Sequence, residues 1–258
     1  MTGGAGPFDR RLRRQARCRA VAGREGHDFL LRHALDGICE REAALPPLPD
    51  GPVLQTGALV TAPRGLRPLI LADPCHAAVK GQMPAVQCDE DCLPFRDAAF
   101  ALIRSLLVLH GVNDVPGALR LSNRLLKPDG WFLAALLGGF ALAEVRRAFV
   151  DADLAVGGGV GIRIGPSIDP AEAAGLLQRA GFRDPVVEVE PVTARYRTLA
   201  DFARDARAMG ETGWLEARSR RPTTARRWAE AEAAFAAQRE ADGRVPVSAQ
   251  LVYLSARR

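Results

Sequence analysis

The chain is nearly without lysine. Lys80 and Lys127 are the two that occur, so the formal charge of +5 at pH 7 rests almost wholly on arginine in an Ala/Arg/Gly/Pro-rich background. That pattern looks like codon bias in a GC-rich genome more than a nucleic-acid surface. Aromatic residues make up 6% of the chain, and none is interleaved with the densest arginines, which argues against a stacking platform for single-stranded nucleic acid. Long apolar runs are missing as well. No stretch reaches the roughly 18 residues needed to cross a bilayer, because the longest are broken by Arg104 or by glycines. The five cysteines, Cys18, Cys39, Cys75, Cys88 and Cys92, are odd in number and scattered behind no secretory signal. They argue against a disulfide framework and for a cytoplasmic protein. There is no internal repeat.

What the sequence does contain is most orderly from Phe100 to Gly139. Phe100 to His110 is an almost unbroken apolar run, as a strand covered on both faces requires. Asn113 and Asp114 are candidate helix caps with Pro116 in the first turn, and Leu119, Leu121, Leu125 and Leu126 follow at helical spacing. Lys127-Pro128-Asp129-Gly130 ends that helix in a turn, and Trp131 to Leu137 is a second apolar strand. Strand, helix, turn and strand form a βαβ unit, which implies a parallel sheet with right-handed crossovers.

Residues 1–49 are expected to be a helical lead-in, helical from about Asp9 to Ala44, closed by the linker Pro46-Pro47-Leu48-Pro49. Residues 50–258 form the α/β domain. Its strands are predicted at Val53–Thr56, Leu69–Ala72, Ala85–Cys88, Phe100–Leu109, Trp131–Leu137, Val186–Glu190 and Val247–Ser255. A helix spans Pro170–Ala180, and 198–241 is a mostly helical insertion between strands six and seven, most simply a cap packed on the sheet. In the lead-in, Arg10, Arg11, Arg13, Arg14, Arg17 and Arg19 fall within ten residues. Such a cluster suits a solvated helix face, an anionic surface contact or a docking element for a partner.

Several strings carry a resemblance. Phe8-Asp9-Arg10 before the arginine run, Leu93-Pro94-Phe95, His110-Gly111-Val112-Asn113-Asp114, Leu126 to Gly130, Gly138-Gly139 with Glu144 and Arg146, Ala180-Gly181-Phe182 and Met209-Gly210-Glu211 are the ones concerned. Together they resemble the class I S-adenosylmethionine-dependent methyltransferases. Within them the chain is most similar to the family of the mitochondrial complex I assembly factor that hydroxylates an arginine, with its bacterial relatives. The resemblance implies a seven-stranded Rossmann-like methyltransferase sheet. It also implies roles: Asp73, ending strand two, would accept from the ribose hydroxyls, and Asp89, after strand three, would meet the adenine amino group. Gly57 and Ser105 complete the implied cofactor-binding set, and His110, at the end of strand four, is a candidate base.

Against that pattern the first strand and its loop are depleted. An S-adenosylmethionine site calls for an acid near the end of strand one and then a run such as G-x-G-x-G, because a side chain there blocks close approach of the backbone. The chain offers Val53-Leu54-Gln55-Thr56-Gly57-Ala58-Leu59-Val60, in which Gly57 alone remains. Pro63, Gly65 and Pro68 interrupt the place of the first crossover helix, which is expected to be a stub or absent. Ala101 stands where an aspartate is usual, Gly111 where an aromatic is usual, and Phe140-Ala141 where a polar pair is usual. Cofactor binding is therefore doubtful.

Two further clusters need weighing. Cys88 and Cys92, with Cys75-His76 near the same sheet end, could supply four ligands, but the spacing matches no standard zinc knuckle and no metal is expected. Gly157-Gly158-Gly159-Val160-Gly161 does not lie between a strand and a helix start as a phosphate loop must, so a lid over the sheet edge is expected instead. The leading expectation is a pseudoenzyme of the methyltransferase fold acting in complex assembly or another interaction, with a protein partner at the arginine cluster or the insertion. The alternatives are an active methyltransferase on an unknown acceptor and a protein-arginine hydroxylase.

Overall fold

The computed structural model describes residues 6–258 apart from Arg64, Met83, Phe140 and Arg221. Two helices lead in, α1 (Arg10–Gly23) and α2 (Phe29–Ala43). They are followed by β1 (Val53–Thr56), β2 (Leu69–Asp73), the one-turn α3 (His76–Val79), β3 (Ala85–Gln87) and β4 (Phe100–Leu106). Then come α4 (Val115–Leu125), β5 (Leu126–Leu137), α5 (Ala143–Val156), α6 (Pro170–Arg179), β6 (Arg183–Tyr196), α7 (Leu199–Ala208), α8 (Ala225–Ala236) and β7 (Val245–Arg257). The sheet order is β3-β2-β1-β4-β5-β7-β6, parallel except for β7, which runs antiparallel to both neighbours.

Strand alternation sorts the core into two layers. On one face Leu102, Leu106, Leu133, Ala135, Leu251 and Tyr253 pack against Leu31, Ala34 and Ile38 of α2. On the other, Ile103, Phe132, Ala134, Val252 and Leu254 meet Leu119 of α4 and Leu177 of α6. Among the described residues no helix joins β1 to β2, in keeping with the prolines there. The lead-in helix α2 covers that face instead.

Several boundaries depart from the expected ones. The lead-in is two helices, broken at residues 24–28. β5 starts at Leu126, so the Lys127–Gly130 turn sits inside the strand as a register irregularity with Asp129 at φ 61°. β6 is far longer than Val186–Glu190, because its whole length pairs with β7 although Pro185 and Pro191 interrupt its sequence pattern. Among the described residues of the insertion, 199–208 and 225–236 are helical. A disulfide joins Cys18 of α1 to Cys75 beyond β2, with Cα atoms 5.3 Å apart, which corrects the expectation drawn from scattered cysteines. Scatter in sequence said nothing of the approach of α1 to the end of β2.

Candidate functional site

The strand-one loop is held shut by its own glutamine. Gln55 is fully buried, donates from Nε2 to the carbonyls of Gly57 and Val60, and accepts at Oε1 from the Ala62 amide. Ala58 and Leu59 turn inward and are 1% and 0% exposed. Gly57, at φ 84°, lies against the Leu106 carbonyl so closely that no Cβ fits. An acid at position 55 could not make the two bonds to carbonyls, so this residue serves loop closure.

At the end of β2, Asp73 has no free acceptor direction. Its carboxylate receives Arg17 Nε at 3.2 Å and Arg17 Nη2 at 2.6 Å, together with the Ala58 amide at 2.8 Å and the Cys75 amide at 2.8 Å. Both side chains are buried, 2% and 0% exposed. Burial by itself raises a carboxyl pKa, but the Arg17 guanidinium and the two amides outweigh it and hold Asp73 below the ordinary aspartate value.

The same helix supplies three more cations. Arg13, also buried, makes a paired contact with Glu90 at 2.8 and 3.1 Å and donates to the Val108 carbonyl at 2.8 Å. Burial lowers its pKa and Glu90 more than restores it. Arg14 reaches Asp89 at 3.5 Å, while Arg10 lies 3.8 Å from Asp89 and contacts Asp91. The acidic run after β3 is thus answered residue by residue from α1.

Local sequence explains how α1 gets so close. Its buried stripe is Arg13, Ala16, Arg17 and Ala20, positions i, i+3, i+4 and i+7 of one helical face. The alanines let the backbone approach and the arginines reach past them. A Cβ at Gly111 would run into Arg13 Nε, so the missing aromatic there is the room that Arg13 occupies. Gly210, at φ 79°, abuts Arg17 from the other side. Asp9 caps the helix at the Leu12 amide. Phe8 is pinned by Asn113, which exchanges two hydrogen bonds with its backbone, and by an edge contact with Trp214 at 4.9 Å.

The remaining predicted residues fall around this network. Ser105 is buried near the end of β4, in register with Thr56 and Ala134. His110 has both ring nitrogens engaged: Nε2 faces Glu211 at 3.2 Å, and Nδ1 accepts from the Leu137 amide at 3.4 Å. That leaves the ring no free lone pair for a general base. Burial raises the Glu211 carboxyl, and His110 with Arg17 and Arg13 brings it below the ordinary value. Cys75 is spent in the disulfide, and the Cys88 thiol is pushed up to about 12 by burial and by Glu90 and Asp89. Phe140 lies outside the described residues. Of the predicted set, Gly57 and Asp73 come together through Ala58, and Asp89 joins them through α1; Ser105 and His110 do not touch them. The residues that sequence reasoning missed are Arg13 and Arg17, whose signal was the i, i+4 spacing on an alanine stripe opposite an acidic run.

Comparison with known proteins agrees with the sheet order. A family model described as "Methyltransferase domain" matches residues 63–134. The chain is 36% identical over 171 residues to a Danio rerio protein named "Arginine-hydroxylase NDUFAF5, mitochondrial", covering 66% of this chain and 53% of that one. It is 33% identical over 169 residues to a Halorhodospira halophila "Malonyl-[acyl-carrier protein] O-methyltransferase", covering 65% and 55%. The chain spans about half the length of these curated relatives. A crystal structure of a Bacillus halodurans protein assigned as a methyltransferase superposes with a TM-score of 0.55 at 13% identity, covering 87% of this chain and 98% of the other. In sequence over part of its length, and in fold, the chain is similar to class I S-adenosylmethionine-dependent methyltransferases.

Proposed function

We propose that this chain is a superfamily member whose cofactor end is closed by its own N-terminal helix, and that it acts by binding, as an assembly or interaction factor, rather than by methyl transfer. One observation carries this reading. Asp73, the residue that would hold the ribose, gives its carboxylate to Arg17 and two backbone amides in a buried setting. Ala58 and Leu59 fill the loop space where glycines would leave room. The residues present do not fit S-adenosylmethionine. Partner contact falls to Arg11 and Arg19, which are exposed and have no ion pair among the described residues, or to the insertion between β6 and β7.

Thermal shift with S-adenosylmethionine and with its demethylated product tests the reading. A ligand at 100 times its dissociation constant stabilises a fold by about 2.7 kcal/mol. The expected result is no shift at millimolar ligand; a saturable shift sinks the proposal. The retention of Asp73 and Asp89 supports a second reading, in which α1 is displaceable and the chain is a methyltransferase once it leaves. Arg13→Ala/Arg17→Ala with Cys18→Ser then gains a cofactor-dependent shift. The name of the Danio rerio relative supports arginine hydroxylation as a third reading; an arginine-bearing partner that gains no oxygen by mass ends it. A cytoplasmic location stands against the Cys18–Cys75 bond, since cytosolic thiols are kept reduced. Alkylating free thiols in intact cells and weighing the chain decides between them. Among the described residues no helix is long and apolar enough to cross a membrane.

A further inference from the structure

A cavity of about 690 Å³ opens at the other end of the sheet, and none of Gly57, Asp73, Asp89 or Arg17 lines it. Its floor is the outer half of the paired strands β6 and β7, with Val192 and Val247, and its walls carry Phe149 of α5, Phe202 of α7 and Trp228 of α8. Packed interiors leave few voids larger than a water molecule, whereas small-ligand pockets fall at roughly 300–1,000 Å³. Three large aromatic side chains line this space and do not collapse into it.

The roof is the loop after α5. Gly157, Gly158 and Gly159 hold φ values of 81°, 91° and 88°, and a Cβ at Gly157 or Gly159 would meet nothing within 4 Å. Beyond them Val160 and Ile162 line the cavity yet are 51% and 55% exposed. A chain lying in the cavity would cover both, which removes their cost in water.

Charge decides what kind of chain. Arg163, Arg207, Arg218 and Arg227 line the cavity. Arg163 and Arg227 share Asp153, Arg218 is 3.9 Å from Asp9, and Glu211 already faces His110. Asp153 thus answers two of the four guanidiniums and Asp9 a third. Arg207 is the cation with no carboxylate within ion-pair reach among the described residues. A guanidinium at the rim of an apolar space suits a single carboxylate, which it holds through two parallel hydrogen bonds.

We infer that this cavity is a binding site for an amphipathic monocarboxylate of the fatty-acid class, its chain between α5, α7, α8 and the paired strands β6 and β7 and its head on Arg207. The site needs no methyl donor, so it stands or falls independently of the closed cofactor end, and the test contains none. Calorimetric titration of the full chain uses decanoate and decanol below their micellar concentrations. Decanoate binds saturably and about tenfold more tightly than decanol, the worth of one charge-assisted pair. Arg207→Gln removes that preference and leaves decanol binding unchanged. Ala206→Trp, or Ala249→Phe should the first fail to fold by circular dichroism, fills the space and abolishes binding of both. Equal binding of acid and alcohol to the parent chain, no saturable binding at 1 mM, or undiminished binding in a folded cavity-filling variant overturns the assignment.

Discussion

At the β1–β2 end of the sheet the buried acids and the acidic run after β3 are answered by arginines from within the chain, whereas at the β6–β7 end an apolar space remains with a guanidinium to spare. At the first end α1 brings Arg10, Arg13, Arg14 and Arg17 onto Asp73, Asp89, Glu90 and Asp91. At the second, Arg207 meets no carboxylate among the described residues. The difference shows that depletion of a motif is not the same as emptiness: Gln55 ties the loop to itself, Leu59 is buried within it, and Gly111 leaves the room that Arg13 of α1 occupies.

The contrast is broken most severely at Asp73. Asp73→Ala strands the buried Arg17 charge and is expected to cost about 3–5 kcal/mol in denaturant unfolding. A loss below about 1 kcal/mol would mean that α1 is not seated as described. Next, replacing both Cys18 and Cys75 with serine frees a 57-residue separation in the unfolded chain. It should cost about 2–4 kcal/mol, read as a lower unfolding midpoint at unchanged slope.

Acid sharpens the same comparison. Asp73 and Glu211 have folded pKa values below their unfolded ones, so their contribution is fully present above the unfolded values. It is lost as pH falls through the folded values, that is, below about 4. Asp73→Asn is less stable than the parent at neutral pH, and its stability falls less steeply in that acid range; parallel curves refute the assignment. The smallest effect is expected at Asp89, whose partners Arg10 and Arg14 are about half exposed. Asp89→Asn should change stability by no more than about 1 kcal/mol, and less at high salt.

The sheet was legible because β4, α4 and β5 have strong patterns: buried apolar runs around a helix with Asp114 at its cap. β6 was under-read because an edge strand with Pro185 and Pro191 carries little alternation of its own and owes its length to β7. The candidate site was half legible. Missing glycines and the missing acid could be seen in Val53 to Thr61, but not what replaced them. The arginine cluster resembled a solvated face because pairing with Glu90 and Asp73 is a contact across 77 and 56 residues.

The bond between Cys18 and Cys75 also makes a ring of the chain it spans. α2, β1, β2 and the Pro46–Pro49 linker all lie inside that ring. A protease that cuts the linker once therefore leaves two fragments still joined, and the N-terminal piece travels with the rest until a reductant is added.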